Sequence, residues 1–362
     1  MKKIIALILT LLFGILSVGC GGGTPPHEHD FDTAIKSDGE YHWYSCLDPT
    51  CAETYQKEKH NFGAGTFSGA DDNISYERVC LTCSYKDMPE VTIINDIVDA
   101  DYAFGKLEEG QVFWLKADNY SRLDLEIGNL VFGFEEGSII ERISVTADTT
   151  YLEQGISNLE FHNLTFNENY DGFIGDYNIL NLSFINCKFS GRAQICSSLY
   201  NGVPNCHIGN LLLKDCSFTD IHTSNNLRSA VVITACTDLT IDGCVFDGAD
   251  FNALQIGERF LKGKIQITNS VFKNIGNRYV KLLNTAEVTS CDISGNTFYK
   301  LELKDDANDK RYGNYFQTSQ GNIVIGVNTW EQIPPNDPEY FISGNDNSPI
   351  IYDPTQQLLL ND

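Results

Sequence analysis

Beyond residue 159 the chain repeats one short pattern of apolar and polar positions. Apolar or small residues mostly fill offsets 0, 2, 5 and 7 of each copy, and seven copies follow one another at intervals of 23 to 32 residues. The copies begin at Leu159, Leu182, Leu211, Leu239, Ile265, Cys291 and Ile323. A repeat of this length that returns this often is typical of a parallel β-solenoid, in which every copy forms one coil.

The alternation inside each copy predicts two strands and a corner. Offsets 0 and 2 alternate as one strand with inward side chains, and offsets 5 and 7 as the next, so the chain must turn between them. Offset 4 mostly carries Asn, Asp or Gly, which tolerate a left-handed backbone, although the last copy has Val327. The corner residues are Asn163, Asn186, Asp215, Gly243, Asn269 and Gly295. Some copies also show a third strand, at 230–234, 253–257 and 279–283.

The pattern therefore predicts an all-β fold, a right-handed parallel β-helix over residues 90–362, because parallel crossovers of this kind are right-handed. Earlier, less regular coils are predicted at Val91–Ile94, Val112–Leu115, 123–134 and 139–145. The tail after Trp330 is rich in Pro, Asn and Asp, and we expect it to cap the open end of the solenoid.

The stack of coils also predicts the state of several of the twelve cysteines. Cys187, Cys216 and Cys244 share offset 5 and should form an interior column with a spacing of about 4.8 Å. That spacing exceeds the Cβ separation of a disulfide, about 3.8 Å, so we expect buried free thiols. Cys196 and Cys206 lie in one loop, where a disulfide and two free thiols are both compatible with the sequence.

The N-terminus predicts export. Lys2 and Lys3 precede an apolar run over residues 4–16, which is too short to span a bilayer as a stable anchor. Residues 1–19 are therefore predicted to be a signal peptide.

The signal peptide ends in a sequence that resembles the lipobox of bacterial lipoproteins, Leu16-Ser17-Val18-Gly19-Cys20, with serine where leucine is commoner. The resemblance implies a lipid on Cys20, and the glycines and prolines over 20–26 then form a flexible tether. The protein would lie on the extracellular face of the bacterial cell membrane, anchored through lipid alone. Secretion without a lipid is the alternative interpretation.

Residues 27–89 form a separate stretch that is rich in cysteine and histidine. Its thiols pair as Cys46-x4-Cys51 and Cys80-x2-Cys83, and two close pairs separated by a loop are the layout of a zinc ribbon. The stretch has few aliphatic residues, so a bound ion could supply much of its folding energy. We expect a structural zinc ion here.

The sequence leaves the ligands of this ion open. One set is Cys46, Cys51, Cys80 and Cys83, and the other joins Cys46, Cys51 and His60 with His29 or His42. Two disulfides are a third interpretation, which an oxidising compartment would favour. The segment from His42 to Cys51, together with His60, resembles Cys/His repeats of surface proteins from Gram-positive gut bacteria. That resemblance implies zinc bound by a thiol pair and flanking histidines.

The formal net charge of −24 restricts the partners. A field of this sign repels phosphate, which argues against nucleic acid and against direct binding to anionic membranes. No feature of the sequence calls for a second copy, and we expect a monomer.

The coil pattern over roughly 91–330 resembles the right-handed β-helix superfamily of pectate lyases and polygalacturonases. The resemblance implies an architecture that cleaves or binds polysaccharides along a flat face. The catalytic motifs of those enzymes are missing from the sequence, because Asn284-Thr285 is followed by Ala286 and the sequence contains no Gly-His-Gly. We therefore expect a surface protein that binds polysaccharide without catalysis, since fold alone does not establish chemistry.

Several polar residues are candidates for a ligand site on one face. Alternation places Gln255 and Lys281 outward, and they are the first candidates for ligand binding, with Arg259. The flanking candidates for catalysis are Asp247, Asp250, Glu258, Arg259, Arg278 and Lys281. Carboxylates beside a cation could serve as acid and base in a glycoside hydrolase or polysaccharide lyase, where calcium would be a possible cofactor. A structural or adhesive stalk without a small ligand is the second alternative.

Overall fold

The computed structural model describes most of the chain outside the N-terminus. The described ranges are 28–96, 107–120, 123–125, 127–140, 143–145, 156–167, 177–195, 206–221, 229–301, 315–318, 323–336, 341–343 and 350–360. The predicted signal peptide, Cys20 and the tether lie outside these ranges, as does Cys196. Within them, no helix has the length and apolar character needed to cross a membrane.

Strands make up nearly all of the regular structure. In chain order they are β1 (Phe31–Ser37), β2 (Tyr41–Cys46), β3 (Thr54–Lys59), β4 (Thr66–Ala70), β5 (Asn73–Val79), β6 (Lys86–Asp87), β7 (Val91–Ile94), β8 (Val112–Leu115), β9 (Asn119–Tyr120), β10 (Leu123–Leu125), β11 (Leu130–Phe134), β12 (Ile139–Ile140), β13 (Ile143–Val145), β14 (Leu159–His162), β15 (Thr165–Phe166), β16 (Tyr177–Ile185), β17 (Lys188–Ser190), β18 (Ala193–Ile195), β19 (Cys206–Lys214), β20 (Ser217–Ile221), β21 (Val231–Asp242), β22 (Val245–Ala249), β23 (Asn252–Thr268), β24 (Val271–Ile275), β25 (Arg278–Leu282), β26 (Glu287–Ser294), β27 (Thr297–Phe298), β28 (Phe316–Thr318), β29 (Ile323–Ile325), β30 (Thr329–Trp330), β31 (Phe341–Ser343), β32 (Ile350–Tyr352) and β33 (Leu358–Leu359). A single 3₁₀ turn, Pro354–Gln356, is the helical element of the described residues.

The chain divides into two compact units. The first comprises the described residues up to Gly63 together with Val79–Asp87, and the second comprises Ala64–Arg78 together with the residues from Met88 onward. The boundary differs from the one we expected at 89, because the hairpin over Ala64–Arg78 belongs to the second unit.

The second unit is a parallel β-solenoid, as the repeat predicts. The first ladder follows offsets 0 and 2, and it contains β7, β8, β11, β14, β16, β19, β21, β23, β26, β29 and β32. The second ladder follows offsets 5 and 7, and it contains β9, β12, β15, β17, β20, β22, β24, β27, β30 and β33. Equivalent positions pair in register, for example Leu159 with Leu182 and Phe189 with Phe218. The seven copies and the earlier coils are therefore confirmed.

A third ladder confirms the third strand of the repeat. It pairs β18, the N-terminal parts of β21 and β23, β25, β28 and β31. In the earlier coils β10 pairs with β13 in a separate parallel sheet.

The corners at offset 4 have the backbone that their residue types predict. Asn163, Asn186, Asp215, Asn269 and the two glycines of this column all have positive φ, between 51° and 69°. The amide of Asn186 donates to Asn163 Oδ1, at 2.7 Å. Asn and Gly therefore fix the turn between the first and second ladders.

Stacked aromatic rings fill the core along offset 7. Phe166, Phe189, Phe218, Phe246, Phe272, Phe298 and Trp330 form one continuous stack with ring centroids 4.5–5.0 Å apart. All seven rings are fully buried. Because identical side chains recur at the strand spacing, each ring packs on the next, and this packing excludes water along the whole core.

A row of hydrogen bonds runs through the interior along offset 5, and we call it the polar spine. The backbone N–H of Cys244 donates to Ser270 Oγ, and that of Ser270 donates to Asn296 Oδ1. The N–H of Asn296 donates to Asn328 Oδ1, and that of Asn328 to Gln357 Oε1. The side chain of each coil thus satisfies a backbone group of the preceding coil.

The thiols at the start of this column are free, as the sequence predicts. These three thiols are buried and form no disulfide, and each donates a hydrogen bond to a backbone carbonyl of the preceding coil: Cys187, Cys216 and Cys244. Burial raises the pKa of Cys216 and Cys244 well above the ordinary value. These thiols therefore pack as small, unreactive core groups.

An outer row of asparagines joins the coils at the position before offset 0. Asn210 donates to Asn181, Asn181 to Asn158, and Asn158 to Asn129 through their side-chain amides. The row is directed at solvent. It adds cross-coil hydrogen bonds that the sequence analysis did not identify.

The hairpin of β4 and β5 packs on the outward side of the first ladder. Glu160 Oε1, which is buried there, accepts hydrogen bonds from the Tyr76 hydroxyl at 2.8 Å and the Gly65 N–H at 3.1 Å. The ring of His162 contacts the same carboxylate. Burial and the adjacent carboxylate raise the pKa of Tyr76, so its hydroxyl remains a donor. All three contacts converge on Glu160 Oε1, so this buried oxygen is satisfied by polar partners.

The described part of the tail after Trp330, which we expected to cap the open end of the solenoid, continues the three ladders. The strands β31, β32 and β33 each extend one of the three ladders. The tail therefore forms a further coil, and Gln357 occupies offset 5 of that coil as the last acceptor of the polar spine.

Candidate functional site

The first unit positions the cysteine and histidine side chains on a small antiparallel sheet of order β1-β2-β3. Tyr41 pairs with Lys59, and a bulge follows in β3, where Gln56 has a φ of 50°. This register brings His42 near His60, with ring centroids 5.5 Å apart. Alternation along β2 also places His42 and Cys46 on the same face of the strand.

One group of four side chains has the composition and proximity of a closed metal site. The ligand atoms of His42, His60, Cys80 and Cys83 all lie within 4.8 Å of one another. His60 Nδ1 lies 3.3 Å from Cys83 Sγ, and His42 Nδ1 lies 4.0 Å from Cys80 Sγ. Two imidazoles and two thiols form a complete tetrahedral ligand set.

The hydrogen bonds of His60 prepare it to bind a metal. Its Nε2 lies 2.9 Å from the carbonyl oxygen of Asp38, and since a carbonyl only accepts, Nε2 must carry the proton. The lone pair is then on Nδ1, the atom that faces the thiols. A backbone carbonyl that fixes the tautomer in this way is a regular feature around metal-binding histidines.

The turn after Cys80 favours a thiolate. Burial raises the pKa of Cys80, but the backbone N–H groups of Cys83 and Thr82 and the neighbouring His60 outweigh burial and lower it to about 6. Cys80 is therefore largely ionised at neutral pH, which is the form that binds a metal.

A second group contains three side chains. The ligand atoms of His29, Cys46 and Cys51 lie within 4.8 Å of one another, and His29 Nδ1 is 3.4 Å from Cys51 Sγ. The N–H of Glu53 donates to Cys51 Sγ and lowers its pKa, but desolvation and the adjacent Cys46 thiol outweigh that bond. The pKa of Cys51 thus lies above its ordinary value, so a metal would have to displace its proton.

These two groups differ from both ligand sets that the sequence allows. The two thiol pairs do not share one site, and His60 joins Cys80 and Cys83 instead of Cys46 and Cys51. The four thiols are free, without disulfides. The sequence identified the ligand residues, but their division depends on the β2–β3 register and its bulge, which have no clear sequence signal.

The third ladder presents a row of polar side chains on its outward face. Gln194, Val232, Gln255, Lys281 and Gln317 are directly paired from strand to strand. The residues beside them in each strand are buried, so alternation directs these five positions outward. Gln194, Gln255, Lys281 and Gln317 are half-buried there, whereas Val232 is itself buried. The burial pattern agrees with the outward direction predicted for Gln255 and Lys281, and their binding of a ligand stays a prediction. Gln194 and Gln317 were missed, although the same alternation would have found them.

The other candidates of this face have different surroundings. Asp247 lies on β22 of the second ladder, where its carboxylate is 3.1 Å from Lys273 Nζ. Arg278 pairs with Asn252 and is buried, and Nη1 lies 3.4 Å from Asn252 Oδ1. Asp250 follows β22 and is half-buried, and Arg259 is exposed. The side chain of Glu258 lies outside the described residues.

The cysteine and histidine groups of the first unit could therefore hold a metal ion. Among the described residues, the groups that could hold a metal ion contain imidazoles and thiols, and neither includes a carboxylate. That composition suits a borderline-soft ion and not calcium, which prefers oxygen ligands. Comparison of the chain with protein-family models, with curated proteins and with solved structures gives no significant match.

Proposed function

We propose that this protein is a lipid-anchored surface protein that binds polysaccharide along the third ladder of its solenoid, without catalysis. The single observation that carries this proposal is the row of Gln194, Gln255, Lys281 and Gln317. The four side chains lie on one line across five paired strands, with the buried Val232 between Gln194 and Gln255. Four strand spacings of about 4.8 Å give this line a length of about 19 Å.

A row of this kind suits an extended polymer better than a small molecule. Amides donate and accept hydrogen bonds, which matches the hydroxyls of a sugar chain, and Lys281 adds one positive charge. The four side chains are half-buried, which limits the rotamer entropy that binding would cost. The resemblance of the coil pattern to polysaccharide-handling β-helices supports the same ligand class.

The test is affinity electrophoresis of residues 21–362 through gels that contain plant, mucosal or bacterial polysaccharides. We expect at least one polymer to retard the protein, and we expect Lys281→Ala and Gln255→Ala to reduce that retardation. The matched control is Lys264→Ala, an exposed lysine on the first ladder of the same strand, β23.

A reducing-end assay on the same panel separates binding from cleavage. New reducing ends that disappear in Lys281→Ala would replace the binding proposal with a glycoside hydrolase or lyase. Retardation that is equal in Lys281→Ala and Lys264→Ala would remove the third ladder as the binding face.

We further propose that His42, His60, Cys80 and Cys83 bind a structural zinc ion. The observation that supports this proposal is the closed set of two imidazoles and two thiols, in which the carbonyl of Asp38 fixes the tautomer of His60. Zinc prefers this set, and a site with four protein ligands leaves no position for a substrate. Elemental analysis of the purified protein should find zinc, and Cys83→Ser should lose the equivalent that this group binds.

A further inference from the structure

We propose that His29, Cys46 and Cys51 form a second metal site, which binds a thiophilic divalent ion such as Zn²⁺ or Cd²⁺ and exchanges it readily. This site is independent of polysaccharide binding. It is also separate from the four-ligand site proposed above.

The ligand atoms come from three separate places in the first unit. Cys46 ends β2 and is buried, Cys51 lies in the loop before β3 and is half-buried, and His29 precedes β1 and is exposed. Their convergence within 4.8 Å joins residues up to 22 positions apart in the chain. Two thiols and one imidazole are a regular part of zinc sites.

The strand β2 keeps the two sites apart. His42 belongs to the four-ligand site and Cys46 to the second group, and the four residue steps from one to the other correspond to about 13 Å along a strand. Tyr44 occupies the same face between them, and its ring packs against Tyr55. One ion therefore cannot serve both groups, and a fully loaded unit would hold two.

The exposure of the second group determines its exchange behaviour. A tetrahedral ion bound by His29, Cys46 and Cys51 has one further position, which water or an incoming ligand can occupy. The exposed His29 also gives a chelator direct access. By contrast, His42 and Cys80 are buried in the four-ligand site, so its ion should leave much more slowly.

Cobalt titration of reduced residues 21–362 tests the proposal under anaerobic conditions. Thiolate-to-cobalt absorption should rise over two equivalents of Co²⁺, and added chelator should remove one equivalent in a fast phase and the other in a slow phase. Cys51→Ser and, separately, His29→Ala should abolish the fast phase and leave the slow phase unchanged. His207→Gln, a solenoid histidine outside both groups, should retain both phases.

Cys83→Ser distinguishes this proposal from that of the structural zinc. It should remove the slow phase and leave the fast phase. The absence of either site would therefore be detected independently of the other. Uptake of one equivalent that Cys51→Ser does not alter would overturn the second site. A mass two units lower, located by peptide mapping to a Cys46–Cys51 disulfide in protein purified without reductant, would also overturn it.

Discussion

At the scale of single residues, Gly133 allows the β4–β5 hairpin to pack on the solenoid. A Cβ at this position would lie 2.6 Å from Trp114 Cε3 and 2.7 Å from Phe67 Cε2. The ring of Phe67 packs against Trp114 and His162 directly above this residue. Phe67 therefore fills the space that a side chain at position 133 would occupy.

We expect Gly133→Ala to destabilise the second unit by about 1–3 kcal/mol, because the methyl group overpacks a rigid aromatic contact. Urea unfolding monitored by tryptophan fluorescence measures the change. In Phe67→Ala the same glycine substitution should cost less, because one of the two clashing rings is gone and the Trp114 ring has room to shift. Additive effects of the two substitutions in a double-mutant cycle would show that the contact is not the cause.

The sequence alone predicts the structural role of some residues and not of others. The left-handed corners could be predicted because Asn163, Asn186 and Asn269 carry their conformational preference in their own side chains. The role of Gly133 could not, because its partner Phe67 lies 66 positions earlier in the chain. A glycine required by a distant contact has no local signal.

At the scale of elements, two rows of asparagine amides join the coils in different surroundings. Asn296 belongs to the buried polar spine, where it accepts from the Ser270 N–H and donates to the Ile267 carbonyl at 2.8 Å. Asn181 belongs to the outer row, where water can replace its partners. Burial, rather than the number of bonds, should decide what each row contributes.

We expect Asn296→Ala to lower the free energy of unfolding by about 1–3 kcal/mol per buried group left unsatisfied. Asn181→Ala should cost about 0.5 kcal/mol or less, since its exposed partners gain water. Chemical denaturation of the two variants gives the comparison. Equal costs would mean that water reaches the spine at Asn296.

The ladders and the metal groups differ in how far the sequence determines them. A one-residue shift in a ladder would expose every buried side chain of the coil, so the apolar pattern fixes the register of β14 or β24. The β1–β3 sheet has few buried positions, and its register depends on a bulge at Gln56. The distribution of His42 and His60 between the thiol pairs therefore could not be derived from spacing.

At the scale of the whole molecule, the core is built around side chains that must remain neutral. Burial raises the pKa of Cys291 to about 12, with a smaller contribution from the charge of Asp292. Burial raises the pKa of Cys216 and Cys244 as well. In the unfolded chain these thiols ionise near pH 8.5. The folded form therefore holds more protons in alkaline solution, and stability must fall as pH rises.

We expect the contribution of these buried thiols to the free energy of unfolding to be steady below about pH 8.5 and then to fall by up to about 1.4 kcal/mol per pH unit for each thiol. For Cys291 the decline should continue to about pH 12. Guanidinium unfolding at pH 7, 9 and 10.5 measures it. Cys291→Ala should show a shallower decline, and an unchanged slope would mean that this thiol ionises in the folded protein.

The polar spine has a consequence for the order in which the solenoid can be completed. Four backbone N–H groups of the spine donate to an acceptor that is synthesised about one coil later. They belong to Cys244, Ser270, Asn296 and Asn328. During synthesis from the N-terminus, the newest coil of the spine therefore carries a backbone amide whose acceptor has not yet been made. Gln357 supplies the acceptor for Asn328, the last donor of the described spine. The described spine is therefore complete only once the coil that carries Gln357 has formed.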